Sequence, residues 1–276
     1  MFYKNIEEDK KVENGVVYYD RGVVTVEGKH YQRLAVQTHF VERGESYLEL
    51  MEKYVVPVTK EGDILSISEK IIAMCQNNVV EMKDVKPGFW AKLLARFASY
   101  GSHGLGLHQE HKMQLAINLA GLPRILLATF CSAVTKLFGK KGVFFKIAGH
   151  GIAGIDGFYP YSSFELYKTT ALLNPREPDA VCEEIHEKYG IMCMIVDAND
   201  LAADIFGRCL ALTMDWEQLH AIIKDNPAGQ ADELTPLILL REVSVQEAAA
   251  DAQRRAQRAE DAEKEEKKPE LRENLA

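Results

Sequence analysis

Paired cysteines are missing from this sequence. Its five cysteines, Cys75, Cys131, Cys182, Cys193 and Cys209, are odd in number and widely spaced, and no Cys-x-x-Cys occurs. That pattern excludes a zinc ribbon and a thioredoxin-type redox motif. Most of the five have apolar neighbours, as reduced core thiols of a cytoplasmic protein do. Basic charge is also scarce: 33 Lys and Arg stand against 41 Asp and Glu, a net charge of −8. A general nucleic-acid binder needs a basic footprint, so that class is excluded. Long apolar runs are absent too. The longest uncharged window in the apolar middle, 125–135, is bounded by Arg124 and Lys136 and is too short to span a bilayer. It reads as a buried helix in preference to an interfacial one. Charge begins at Lys4 and continues to Lys11, without the apolar stretch of a secretory signal.

What is present is material for a core. Of 276 residues, 47% are hydrophobic, with 11 Phe and 11 Tyr. This excludes a disordered chain and suffices for one large domain or two small ones without disulfides or a structural metal.

Three composition zones follow one another. Residues 1–30 read as a β extension: Asn14-Gly15 is a turn signal, and 16–19 and 23–26 are β-prone runs around Asp20-Arg21-Gly22. A hairpin covering a sheet edge is the expectation. Residues 31–244 form the body. Strands are expected at 33–38, 63–68, 142–148, 191–196 and 236–241, and helices at 45–54, 69–76, 89–99, 109–120 and 177–189. Gly190 is placed to cap the last of these helices. The alternation predicts a mixed α/β (α+β) body. Residues 245–276 are rich in Ala and mixed charge, with almost no large apolar side chains. They read as a solvated helix that frays near Pro269, without the apolar seam of a coiled coil.

Gly149-His150-Gly151-Ile152-Ala153-Gly154 fits the Gly-x-Gly-x-x-Gly of dinucleotide sites. Gly157 and Pro160 follow where a helix should open, which argues against that reading. His103, His108 and His111 cluster, and His108 and His111 are expected on one helical face. No His-Glu-x-x-His and no third ligand accompany them, so a structural or substrate-side role is favoured over a metal. Asp156 and Asp197 follow strand-like runs, with Asp200 just beyond. Carboxylates gathered at strand ends suit Mg²⁺ or Mn²⁺. The alternative is that Asp197 and Asp200 cap a helix at 201–206.

The order of segments resembles the coenzyme F420-0:L-glutamate ligases, the γ-glutamyl ligases of a 5-deazaflavin coenzyme. Thr38-His39-Phe40-Val41 with Gly44-Glu45-Ser46 resembles the first nucleotide loop. Residues 61–72, with Ser68-Glu69-Lys70, resemble the second strand and helix start. Gly154-Ile155-Asp156 is similar to the family's metal-binding Gly-Ile-Asp. Residues 190–200 resemble the strand ending in a metal-binding aspartate, here Asp197. Asn226-Pro227-Ala228-Gly229-Gln230 and Thr235-Pro236-Leu237-Ile238 resemble the late nucleotide loop and last strand. The likeness spans about 31–244, leaving the hairpin and the tail outside it. The chain also departs from the family. Asp197-Ala198-Asn199-Asp200 stands where Asp-Thr and then Gly-Arg are usual, and Gly157-Phe158 follows Gly-Ile-Asp where a Ser-Asn pair usually lies ahead. Met74-Cys75-Gln76-Asn77-Asn78 replaces a basic group. The lost arginine fork bears on recognition of anionic substrates.

The resemblance implies a γ-glutamyl-ligase-like fold and a GTP- or ATP-dependent ligase that joins L-glutamate or another amino acid to a carboxylate through an acyl phosphate. It implies Mg²⁺ or Mn²⁺ on Asp156, Asp197 and Asp200, with Asp156 and Asp197 central to catalysis. Nucleotide would lie on Thr38, His39, Phe40, Val41, Ser68, Glu69, Lys70, Asn226, Gly229 and Gln230. It further implies a cytoplasmic homodimer acting on small molecules, without a membrane span. The alternatives are a non-catalytic ligase-like protein that binds a nucleotide or a protein partner, and a nicotinamide-dependent oxidoreductase built on 149–154.

Overall fold

Apolar-rich segments at Ile64–Ser68 and Leu237–Val243 form neighbouring strands whose inner residues, Leu65, Ile67, Leu237 and Leu239, are fully buried. Runs of this kind are expected of strands covered on both faces. The computed structural model describes residues 3–98, 107–140, 142–198 and 203–273. The chain divides into two units. One, here the sheet unit, comprises Met1–Phe40, Leu48–Ser68 and Glu177–Ala276; the other, the helical unit, comprises Val41–Tyr47 and Glu69–Arg176. The architecture is mixed α/β.

The strands are β1 (Lys10–Glu13), β2 (Val16–Val26), β3 (Lys29–Val36), β4 (Ile64–Ser68), β5 (Val79–Glu81), β6 (Asp156–Gly157), β7 (Thr170–Leu172), β8 (Met192–Ala198), β9 (Ala203–Arg208) and β10 (Leu237–Val243). The sheet unit holds seven of them in the order β1-β2-β3-β10-β4-β8-β9. β4 and β8 run parallel, and the other pairings are antiparallel. The helix Pro178–Tyr189 leads into β8 and packs on β8 and β9. Gly190 (φ 70°) ends it as expected, its N–H donating to the His186 carbonyl at 2.7 Å. A left-handed residue there is cheap only for glycine.

The helical unit pairs β5, β7 and β6 in a small sheet of three strands. Its core lies among the helices Phe89–Phe97, Glu110–Ala120, Leu122–Leu137 and Val143–Ala148. Ala91, Leu94, Met113, Ile125, Ile152 and Phe158 are among the buried side chains there.

Several expectations need correction. The segment expected as a strand at 142–148 holds instead the helix Val143–Ala148; the run Val-Phe-Phe-Lys-Ile-Ala satisfies either pattern, and Gly142 in the left-handed region precedes the helix. Residues 203–208 are strand β9, paired with β8, so no helix starts there for Asp197 to cap. The two β-prone runs at 16–19 and 23–26 are one strand with an irregularity between Asp20 and Val23. β2 pairs with β3, and β3 with β10, so this segment continues into the main sheet.

The charged tail also differs from the solvated helix expected. The helix Val245–Glu273 docks on β2 and β3 through charge. Asp251 is almost fully buried: its Oδ2 accepts the Val23 N–H at 3.1 Å and the Arg255 Nε–H at 2.9 Å, and its Oδ1 accepts from Arg254 at 2.5 Å. Arg255 also donates to the Asp20 carbonyl at 3.1 Å, and Arg258 pairs with Asp9. The helix thus satisfies the backbone that the β2 irregularity leaves without a ladder partner.

Burial works to raise the Asp251 pKa, but hydrogen bonds from Arg254 and Arg255 outweigh it and hold the carboxyl below its ordinary value. That stabilisation is present above the unfolded-chain value of ~3.9 and is lost as pH falls through the lower folded value. Asp251→Ala is expected to cost about 1–3 kcal/mol at neutral pH, read as a lower urea midpoint, with the difference closing below the folded pKa.

Candidate functional site

Asp156 is set in place by the glycines around it. A Cβ on Gly157 (φ 129°) would lie 2.2 Å from the Thr170 carbonyl and 2.6 Å from the Ala171 Cα. Only glycine permits that approach, and it lets β6 pair with β7, Asp156 opposite Leu172 and Gly157 opposite Ala171. A Cβ on Gly154 would overlap the Asn174 side chain, 1.6 Å from its Oδ1. Phe158 follows in the left-handed region (φ 53°) and is fully buried. A bulky residue rarely adopts that backbone. Here it turns the chain so that the Tyr159 N–H meets the Tyr167 carbonyl at 2.8 Å.

Around Asp156 the helical unit gathers two lysines and a tyrosine. Lys70, on the helix Glu69–Cys75, donates to Asp156 Oδ2 at 2.6 Å. Tyr159 hydrogen-bonds the same carboxylate. Lys112, on the helix Glu110–Ala120, is 1% exposed. Among the described residues its Nζ has no hydrogen-bond partner, and it stands 4.9 Å from the centre of the Tyr159 ring. The neighbouring His111 ring lies edge-on to Phe158 at 6.4 Å.

These groups move one another's protonation. Burial opposes the Asp156 charge, but Lys70 and the Tyr159 hydroxyl outweigh it and hold the carboxyl below the usual range. Burial likewise opposes the Lys70 ammonium, but Asp156 and Glu69 more than offset it and raise its pKa. Desolvation, and then the Asp156 charge, push the Tyr159 hydroxyl well up. Burial lowers Lys112, with Asp156 offsetting only part of the effect. The result is one carboxylate facing two amines, one of them without a hydrogen bond.

The donor set does not fit a divalent cation at Asp156. A metal there would have to displace Lys70 from the carboxylate and face a second amine. Among the described residues no three His, Cys, Asp or Glu side chains gather as a metal group. Asp197 lies within β8, opposite Asp204 on β9. Asp200 and His103 lie outside the described residues. His108 precedes the helix that carries His111 and does not share its face.

In the sheet unit, three of the expected nucleotide segments are laced together. The Thr38 N–H donates to the Leu234 carbonyl at 2.8 Å, and the Ser68 N–H to the Pro236 carbonyl at 2.9 Å. Val196, just before Asp197, is in register with Ser68. Thr38 is buried and its hydroxyl donates to the His39 carbonyl at 2.8 Å; the His39 ring meets the Tyr54 hydroxyl at 2.7 Å. Phe40 is half-buried. Asn226 (φ 52°) and Gly229 close a turn: the Gly229 N–H donates to the Asn226 carbonyl at 3.0 Å, and Asn226 Nδ2 returns to the Gly229 carbonyl at 3.1 Å. The Gly229 amide is therefore already engaged. Gln230 is exposed. Glu69, Lys70 and Val41 belong to the helical unit, where Glu69 and Val41 are buried.

The glycines 149–154 carry no dinucleotide geometry. A helix, not a strand, precedes them, and His150–Ala153 is a single short turn of helix. Gly149 (φ 105°) sits against Arg124. Lys112 and Tyr159 escaped the sequence reading. A signal for Lys112 exists, since it falls on the same helical stripe as Leu115 and Ala116, where a charge is out of place.

Replacing an unbonded buried amine with an apolar chain of similar shape removes a desolvation cost. Lys112→Met is expected to raise stability by about 1–3 kcal/mol. The unfolded chain binds the proton more tightly than the folded one, so wild-type stability rises with pH between the lowered folded value and ~10.4. The gain from Lys112→Met should therefore be largest below that window and shrink across it in urea titrations. No gain at neutral pH would mean that the amine is satisfied.

A family model for F420-0:gamma-glutamyl ligase matches residues 35–212. That span contains Thr38 to Val41, Ser68 to Lys70, Asp156 and Asp197. It stops short of Asn226 to Gln230 and of the tail. A search of curated proteins gives no match. With more than half of its length matched, the chain belongs to the F420-0:gamma-glutamyl ligase family.

Proposed function

We propose that this chain is a nucleotide-dependent ligase that forms an amide between a small-molecule carboxylate and the amine of L-glutamate or a similar amino acid. The family match across the Gly154-Ile155-Asp156 segment carries this reading, because that segment here pairs a carboxylate with Lys70 and has the buried Lys112 ammonium within electrostatic reach. In the reaction a carboxylate oxygen of the substrate attacks the γ-phosphorus of GTP or ATP, and the bond to the nucleoside diphosphate breaks. The amine nitrogen then attacks the acyl carbon, phosphate leaves, and the amine proton passes to solvent. Such chemistry asks the protein for position and charge more than for covalent work.

Lys70 and Lys112 supply positive charge for anionic reactants. An anion reaching Lys112 would give its ammonium the partner it lacks. Asp156 fixes Lys70 and, with its lowered pKa, is a weak proton acceptor. A homodimer is part of the same proposal.

A second reading, a ligase-like protein that binds nucleotide without turnover, is favoured by two observations. Asp156 is ion-paired, and Ala198 stands where the family resemblance expects threonine. Calorimetric titration of GTP and ATP, with and without Mg²⁺ or Mn²⁺, followed by phosphate release with L-glutamate and a panel of carboxylic acids, separates the two. The ligase reading expects nucleotide binding weakened about tenfold or more by Lys70→Ala, and phosphate release that needs both acid and amine. Binding without turnover supports the second reading. A folded wild type that binds neither nucleotide contradicts both.

A further inference from the structure

The helical unit carries an unpartnered apolar face inside a strongly basic stretch. Between Asp84 and Asp156 the sequence holds nine lysines and arginines and a single acidic residue, Glu110, in a chain whose net charge is −8. On the helix Leu122–Leu137 one side is anchored: Ile125 and Ala128 are fully buried in the core of that unit. The other side shows Leu127 (55% exposed), Phe130 (69%) and Leu137 (84%), with Val134 between them and Phe138 just after the helix. The spacing of 127, 130, 134 and 137 is that of one helical stripe. The helix Phe89–Phe97 repeats the combination, exposing Phe89, Trp90 and Phe97 with Lys92 and Arg96. Monomeric soluble proteins seldom leave an apolar stripe of this kind uncovered.

We infer that this face docks on an anionic lipid surface. Both halves of the pattern are then used: aromatic and aliphatic side chains enter the boundary between headgroups and acyl chains, and lysines such as Lys140 and Lys146, both exposed, meet lipid phosphates. A second copy of the chain is the poorer occupant, because pairing two such faces brings like charges together. Spanning the bilayer is not the mode. Among the described residues no single helix is long and apolar enough, Glu110–Ala120 and Leu122–Leu137 meet at 114°, and one side of the latter is held in the core. The helix lies along the surface, as monotopic helices do.

The test is co-sedimentation of the full chain with vesicles of phosphatidylcholine containing about one third phosphatidylglycerol, against phosphatidylcholine alone. Binding to the anionic vesicles is expected, weaker by roughly tenfold or more without phosphatidylglycerol, in ~0.5 M salt, or in the variant Phe130→Ser with Leu137→Ser. Both substituted positions are exposed, so the variant should keep the wild-type melting temperature. Failure of the wild type to sediment with anionic vesicles overturns the inference. So does equal binding by a folded variant. A wild type that binds no vesicles but is a dimer broken by the same substitutions assigns the face to a second copy instead.

Discussion

The ion pair between Lys70 and Asp156, with Lys112 close by, sets what the helical unit can do. A carboxylate facing a single amine would be electrically closed. Here a second amine, almost fully buried and without a hydrogen-bond partner among the described residues, adds positive charge to the group. Keeping that amine desolvated is costly. The fold maintains it through strict backbone demands: Gly157 pressed on β7, Phe158 in a left-handed conformation, and the helix Glu110–Ala120 packed so that His111 and Lys112 meet Phe158 and Tyr159. Strain and buried polarity of this kind concentrate where a protein does chemistry.

The sheet unit works by a different constraint. Its central strands β4, β8 and β10 are largely apolar, so pairing and burial fix their register. Thr38, Ser68 and the Leu234-to-Pro236 backbone meet at one strand end through main-chain hydrogen bonds. Ligands of open α/β sheets gather at such ends. The opposite flank of the sheet is finished by charge: Asp251 of the long helix satisfies the irregular turn of β2, and Arg254, Arg255 and Arg258 reach Asp20 and Asp9.

Much of this was legible in the sequence. β4, β8 and β10 announce themselves because buried strands read as apolar-rich runs, and Gly190 marks the helix end before β8. The family likeness was carried by ordered short motifs, and the match over 35–212 agrees with most of them. What was not legible depends on partners remote in sequence. Asp251 and the Val23 N–H it accepts from are 228 residues apart, so a charged, alanine-rich tail gave no sign of docking. Residues 142–148 fit both periods, and length could not arbitrate. The window 125–135 was expected to be a buried helix, but only one side of the helix Leu122–Leu137 is buried. Lys70, expected on the nucleotide, is also ion-paired with Asp156, 86 positions on in the sequence. That pairing follows from β6 meeting β7, a contact no local pattern encodes.

The account rests on Asp156 being held as a lysine-paired carboxylate. Its titration can be followed directly by carbon NMR of the full chain labelled at aspartate side chains, in wild type and in Lys70→Met. The account predicts that Asp156 titrates below the ordinary aspartate value of ~3.9 in wild type and moves upward once Lys70 is removed. An Asp156 that titrates at its ordinary value, and does not respond to the loss of Lys70, would contradict it.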